Sequence, residues 1–148
     1  SRPRNRLSNS KRRANAKMAQ VKCIVVTPEA TVTEKTVDSV VVPLYDGELG
    51  ILPGHAPLIG RLGFGELRMQ HGGQTERLYV DGGFVQVADD VVSLLTEDAK
   101  PVEKLEEAEA KALLAEAQEK TANTVELQAI RQRSLDRARA QIRLAGRR

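Results

Sequence analysis

The sequence has no tryptophan, two tyrosines, two phenylalanines and one cysteine in 148 residues. With aromatics at 3%, a hydrophobic core has to be assembled from Val, Leu, Ile and Ala. A single cysteine, Cys23, excludes an internal disulfide framework and fits a reducing compartment. It reads as a small buried strand residue. No apolar run approaches the ~20 residues that a membrane-spanning helix needs. Only two histidines occur, His55 and His71, and with one cysteine they give no metal-ligand spacing.

Charge is unevenly spread. Residues 1–17 carry seven basic side chains and no acidic one, while the whole chain is only +3. The remaining 131 residues are therefore −4. A basic, Ser/Asn-rich arm without apolar periodicity reads as a disordered extension ahead of Met18. Targeting or nucleic-acid binding are its alternative uses.

From Val21 to Leu95 the chain is short-period and β-branched. Strands are predicted over 21–26, 31–36, 37–42, 65–70, 75–80, 83–88 and 90–95. "TPEA", "HGGQ", "DGG" and "ADD" supply turn chemistry between them, and "HGGQ" is a hairpin turn. Closely spaced strands with no intervening helix predict an all-β sandwich or barrel. At Pro101 the texture changes to Ala, Leu, Glu and Lys. One helix is predicted over 101–120, opening at Pro101, and a second from a capping pair at Asn123 and Glu126 to Gly146. The short connection makes them an antiparallel hairpin. Its expected seam is Leu127, Ile130, Ser134, Ala138, Ile142 and Ala145 against Leu105, Ala108, Ala112 and Ala115. The glutamates of the first helix are expected to face the arginines of the second. A seam so rich in alanine buries little area, so the hairpin should be weakly held.

The expected fold is thus all-β plus α, an N-terminal β-sandwich followed by a C-terminal two-helix hairpin. Its divisions are a 1–17 extension, an 18–98 sandwich and a 99–148 hairpin. No "GxxxxGK[ST]" occurs, "GFGELR" lacks the third glycine of a dinucleotide loop, and no nucleophile–base constellation can be assembled. Catalysis, a cofactor and a metal are not expected.

One segment resists a secondary-structure reading. "PLYDGELGILPGHAPLIG" (43–60) mixes apolar residues with Gly and Pro around a carboxylate and a histidine. Its greater part, within "DGELGILPGHAPLIGRLGFGELR" (46–68), followed by "YVDGGFVQVADDVVSLL" (79–95), closely resembles the epsilon subunit of F-type ATP synthases of bacteria and chloroplasts. The resemblance implies a non-catalytic central-stalk subunit coupling proton flow to ATP synthesis. Implied partners are the gamma subunit, the proton-driven membrane ring and the alpha/beta catalytic hexamer. Its implied place is peripheral, at the cytoplasmic face of a bacterial cell membrane. In that family the hairpin folds on the sandwich or extends along gamma, where it inhibits ATP hydrolysis.

Residues follow from the match. The ring-facing loop corresponds to Glu48 and His55, with Gly47, Gly50, Pro53 and Gly54 shaping it. Proline restricts φ and glycine permits tight turns, so such a loop is ordered before it binds. Arg131, Arg133, Arg137, Arg139 and Arg143 are candidates to meet an acidic loop of the catalytic beta subunit. Some relatives bind ATP between the helices. Arg139 and Arg143 occupy nucleotide-contacting positions, but Glu103 and Glu106 replace the family's Asp and Arg. A carboxylate in place of a phosphate-binding guanidinium repels ATP, so nucleotide binding is not expected. Two other functions compete. A nucleic-acid module would rely on the basic arm, although the folded part is acidic and poor in stacking aromatics. A free regulatory hairpin protein would leave the Gly/Pro segment unexplained.

Overall fold

A computed structural model describes residues 19–147. The basic arm 1–17 lies outside the described residues. Eight strands come first: β1 (Val21–Val26), β2 (Thr31–Val37), β3 (Ser39–Leu44), β4 (Gly47–Ile51), β5 (Leu58–His71), β6 (Gln74–Ala88), β7 (Val91–Leu95) and β8 (Ala99–Pro101). A 3₁₀ turn (Val102–Lys104) then leads to α1 (Glu107–Glu119) and α2 (Val125–Ala145). The hydrogen-bonded order is β2-β1-β7-β6-β5-β3-β4, with β8 also on β6. Neighbours are antiparallel except β1 and β7, which run parallel.

Alternation decides which side chains enter the sandwich. In β1, Val21, Cys23 and Val25 point inward while Lys22 points out. Burial pushes the Cys23 thiol up to about 12, as expected of an inert core cysteine. The core continues through Val40, Val42, Leu67, Met69, Val85 and Leu94, all nearly inaccessible. The long β5–β6 hairpin is its spine, paired from Leu58 opposite Val87 to His71 opposite Gln74. Its two-residue turn, Gly72-Gly73, has φ of 58° and 80°, the predicted "HGGQ" hairpin.

Three expectations about elements are corrected. The "DGG" stretch is no break, because β6 runs unbroken through it. Gly82 and Gly83 bend the strand at φ 67° and 105°, and a Cβ on Gly83 would lie 1.9 Å from the Leu95 carbonyl oxygen. Glycine provides the bend without breaking the ladder. Second, the odd segment contains β4 and the start of β5, since "GELGI" pairs with β3 from Leu44–Gly47 to Val40–Ile51. Third, Pro101 does not open a helix. It closes β8 opposite Leu78, and Val102 and Leu105 then bury their side chains against Tyr79. The chain is still extended at Leu105 and Glu106, so α1 begins only at Glu107. The sheet therefore reaches three residues beyond position 98.

The hairpin also differs in detail. The α2 cap is Thr124, not Asn123: its Oγ1 accepts the Leu127 N–H at 3.1 Å. α1 buries Ala110 and Ala117, whereas Ala108, Ala112 and Ala115 are exposed. On α2 the buried residues are Leu135, Ala138, Ala140, Gln141, Leu144 and Ala145, and Leu127 and Ile130 are exposed. α2 is rotated because it serves two neighbours, α1 along one side and the sandwich along another. Ala140, Leu144 and Ala145 pack with Tyr79, Val102 and Leu105 in a second small core. Interhelical polar contacts are Arg131 to the Gln118 carbonyl and Lys120 to Ser134, both 3.2 Å. Glu–Arg pairs do not link α1 and α2 among the described ion pairs. Lys111 instead pairs with Glu107 within α1.

Candidate functional site

Segment 43–60 is built as a hairpin followed by a turn. Pro43 lies opposite Glu48, and Tyr45-Asp46 link β3 to β4, with Gly47 at φ 144°. The Glu48 carboxylate accepts Arg68 Nη1 at 2.7 Å, and its side chain stays 54% exposed. Arg68 also reaches Glu66 at 3.3 Å; these bonds, first that to Glu48, raise the guanidinium's proton affinity. Glu48 is thus oriented by a neighbour while presenting its other oxygen to solvent.

Beyond β4, Pro53-Gly54 form a turn. Gly54, at φ 84°, donates its N–H to Asp90 Oδ1 at 2.7 Å, tying the turn to the β6–β7 connection. His55 donates its backbone N–H to the Leu52 carbonyl at 3.2 Å. Its Nδ1 lies 2.8 Å from the Ala56 carbonyl oxygen, a donor role that leaves Nε2 to face outward contacts. Gly50 borders open space, with nothing near a would-be Cβ. Glu48 and His55 are not brought together. Glu48 lies within β4, whereas His55 lies beyond its end, past buried Ile51 and the Pro53-Gly54 turn.

A second surface escaped the sequence reading. On the outer face of β5, β6 and β7, Phe84 sits directly opposite Arg61 and Leu95, and Ile59 is one pair along. Ile59, Phe84 and Leu95 are 77%, 59% and 56% exposed. Tyr45 is exposed beside them, with the Arg61 guanidinium 5.7 Å over its ring. The signal was the strand alternation itself: "LIGRL" places Ile59 and Arg61 on the face opposite buried Leu62. Exposed apolar side chains clustered in this way mark an interaction site.

The five arginines of α2 separate into three settings. Arg131 is spent on the hairpin carbonyl. Arg137 pairs with Asp81 at 2.8 Å. Arg133, Arg139 and Arg143 open onto a groove of about 960 Å³ between α2 and the sandwich, shared with Arg61, Tyr45 and Phe84. Arg139 and Arg143 therefore face the sandwich. The crevice between the helices, lined in part by Arg137, is about 80 Å³, room for a few waters only. His71 sits far along the β5–β6 turn, near Gln20 and Asp38. Among the described residues no group of three or more His, Cys, Asp or Glu could hold a metal ion. No described helix is long and apolar enough to cross a membrane.

With this geometry in view, relatives give it a context. The profile of the ATP synthase delta/epsilon chain β-sandwich domain matches residues 20–102. The ATP synthase epsilon chain of Rhodopirellula baltica is 49% identical over 123 residues, covering 83% of this chain and 96% of that one. The epsilon chain of Bacillus subtilis is 40% identical over 103 residues, 70% and 78% of the two chains. Among solved structures, a chain of the Euglena gracilis mitochondrial ATP synthase OSCP/F1/c-ring assembly aligns with a TM-score of 0.72 at 24% identity, covering 82% of this chain and 79% of that one. A chain of the Tetrahymena thermophila mitochondrial ATP synthase central stalk and c-ring aligns at 0.62 and 12%, covering 84% and 96%. These two likenesses concern the fold. The nucleic-acid alternative finds no support in these relatives. From the profile match and the sequence identities, the chain belongs to the epsilon-chain family of bacterial ATP synthases, a non-catalytic subunit type.

Proposed function

We propose that this chain is a rotor subunit of a proton-transporting F-type ATP synthase, held on the central stalk by its sandwich. The observation that carries this reading is the contiguous exposed face Ile59–Phe84–Leu95 on the stiffest part of the fold. An apolar patch anchored on the β5–β6 spine transmits torque without deforming, and suits the gamma subunit as its partner. The loop carrying Glu48 and His55, with Gly47, Gly50, Pro53 and Gly54, then faces the membrane ring. Glu48 offers an acceptor already aimed by Arg68, and His55 offers Nε2. In this reading residues 18–98 bind the rotor and 99–148 regulate. The complex sits peripherally at the cytoplasmic face of a bacterial membrane.

The hairpin is the regulatory part. Its arginines, of which Arg133, Arg139 and Arg143 now open onto the groove beside the sandwich, meet the acidic loop of a catalytic beta subunit when the hairpin leaves the sandwich. Glu106 is exposed at the start of α1. A carboxylate there opposes a bound triphosphate, so nucleotide is not part of the proposal. The test is reconstitution with gamma. Phe84→Glu should lower association at least a hundredfold with the sandwich still folded, and undiminished association would remove the reading. Inhibition of ATP hydrolysis by the full chain against one ending at Glu106 tests the brake, since that end keeps β8, Val102 and Leu105 in place.

A further inference from the structure

Apolar packing alone does not specify how α2 lies on the sandwich. On α2 the seam offers only Ala140, Leu144 and Ala145 against Tyr79, Val102 and Leu105, and so small an apolar set tolerates sliding or rotation with little change in buried area. A polar group at its centre does specify it. Asp81, 8% exposed, precedes the Gly82-Gly83 bend of β6. Its backbone N–H donates to Thr96 Oγ1 at 2.9 Å, and its Oδ1 accepts the Tyr79 hydroxyl at 3.2 Å. The carboxylate is therefore aimed by the sandwich itself. From α2, Arg137 Nε donates to that same Oδ1 at 2.8 Å. One turn along the helix on either side, Arg133 stands over the Phe64 ring and Gln141 bonds Tyr79. Arg137 lies 5.6 Å from the Phe64 centroid as well.

We propose that Asp81 is the latch of the hairpin: its pair with Arg137, squared by Tyr79 and Gln141, fixes α2 in register on the sandwich and sets how often the hairpin is free to leave. α1 takes no part, because it packs on α2 and not on the sheet. The Arg137 side chain is 38% exposed and that of Asp81 11%, so removing Arg137 leaves a nearly buried carboxylate without its ionic partner, and docking is sensitive to this contact beyond its share of the surface. The inference rests on the reading of the hairpin as a movable brake, and its consequence there is directional. A broken latch populates the released hairpin and strengthens inhibition of ATP hydrolysis.

Two measurements keep latch and brake apart. In the full chain, hydrogen exchange is followed for α2 amides 135–145 and, as a folding control, for β1 and β5–β7. Asp81→Asn and Arg137→Gln should each speed α2 exchange tenfold or more while strand amides stay protected. The double variant should be no faster than the worse single, because both remove one contact. Unchanged α2 exchange in the singles, or additive effects in the double, overturns the latch. If strand protection is lost in Asp81→Asn, Arg137→Gln alone decides, since Arg137 lies outside the sandwich. In the assembled ATPase, stronger inhibition by Asp81→Asn supports both ideas, since Asp81 stays on the sandwich and is no candidate contact of the beta subunit. Faster α2 exchange with unaltered inhibition keeps the latch and removes the brake.

Discussion

The sandwich and the hairpin are stabilised in different ways. The sandwich encloses a continuous set of valines, leucines and isoleucines with almost no exposure, cross-linked by ladders on every interior strand. The hairpin rests on a six-residue cluster and alanine contacts, and α1 packs chiefly on α2. One region is thus cooperative and stiff, the other separable at modest cost. That asymmetry is what a rotor subunit with a movable regulator requires. It is also directly breakable.

The largest effect should come from the bend of β6. Gly83→Ala places a methyl 1.9 Å from the Leu95 carbonyl oxygen at φ 105°, so backbone must move in both strands. Strain and overlap together should lower sandwich stability by about 4 kcal/mol, read from the urea midpoint. Gly72→Ala is the control. It also has positive φ but meets nothing within 4 Å, so it should cost only ~1 kcal/mol. Similar losses at the two positions would mean that close packing at Gly83 is not what matters.

Next comes the second core. Leu144→Ala empties a nearly inaccessible position between α2 and Tyr79. A buried Leu→Ala change costs roughly 2–5 kcal/mol where the structure must stay closed. Here the hairpin has an alternative, to leave, so the loss cannot exceed the free energy of docking. Exchange of α2 amides should rise steeply while the strand transition stays put. A matching fall in strand protection would show that the two regions form one cooperative unit, contrary to the comparison above.

These two tests also mark where local pattern suffices. β1, β7 and the Gly72-Gly73 hairpin were legible because their signals are local: alternation within six residues, and a turn that only glycine makes well. β4 was hidden because two glycines in five residues erase alternation, and its partner β3 is supplied by the fold. The start of α1 was misplaced for a similar reason. Helix propensity favours 101–106, yet Pro101 pairs with Leu78, 23 positions earlier. In the site, Glu48 and His55 were visible through resemblance, but their different settings, one within β4 and one beyond the turn that follows it, were not. Asp81 and Arg137 are 56 residues apart, and neither is unusual in its own neighbourhood. The apolar face is present in the alternation of β5, but exposed apolar residues look like core in a sequence because only the fold shows which face is covered.

A smaller effect tests how α2 begins. Thr124→Ala removes the acceptor of the Leu127 N–H and should weaken the helix by about 1 kcal/mol, lowering its first thermal transition by circular dichroism. Asn123→Ala should be nearly silent. The reverse ranking would restore the cap expected from sequence.

The smallest effect lies on the stiff side, at the exposed turn of the β5–β6 hairpin. Asp38 accepts the Gly72 N–H at 3.0 Å and the Gln20 side chain at 3.2 Å. These two bonds, that of Gly72 first, hold its carboxyl below 3.8. A carboxylate bound more tightly in the folded state adds stability above its unfolded value, and loses it as pH falls through its lowered folded value. The contribution of Asp38 should therefore be constant from pH 5 upward and fade below about pH 4. Urea midpoints of the full chain and of Asp38→Asn should differ at pH 6 and converge towards pH 3. A gap that stays constant over that range would mean that the carboxylate's charge does not hold the turn. Because the side chain is 49% exposed and solvent screens its charge, the gap should be slight even at its widest, and smaller than the changes expected at Gly83 and Leu144. A hydrogen bond at the surface of a rigid sheet steadies one turn, whereas one glycine inside it decides whether the strands can close.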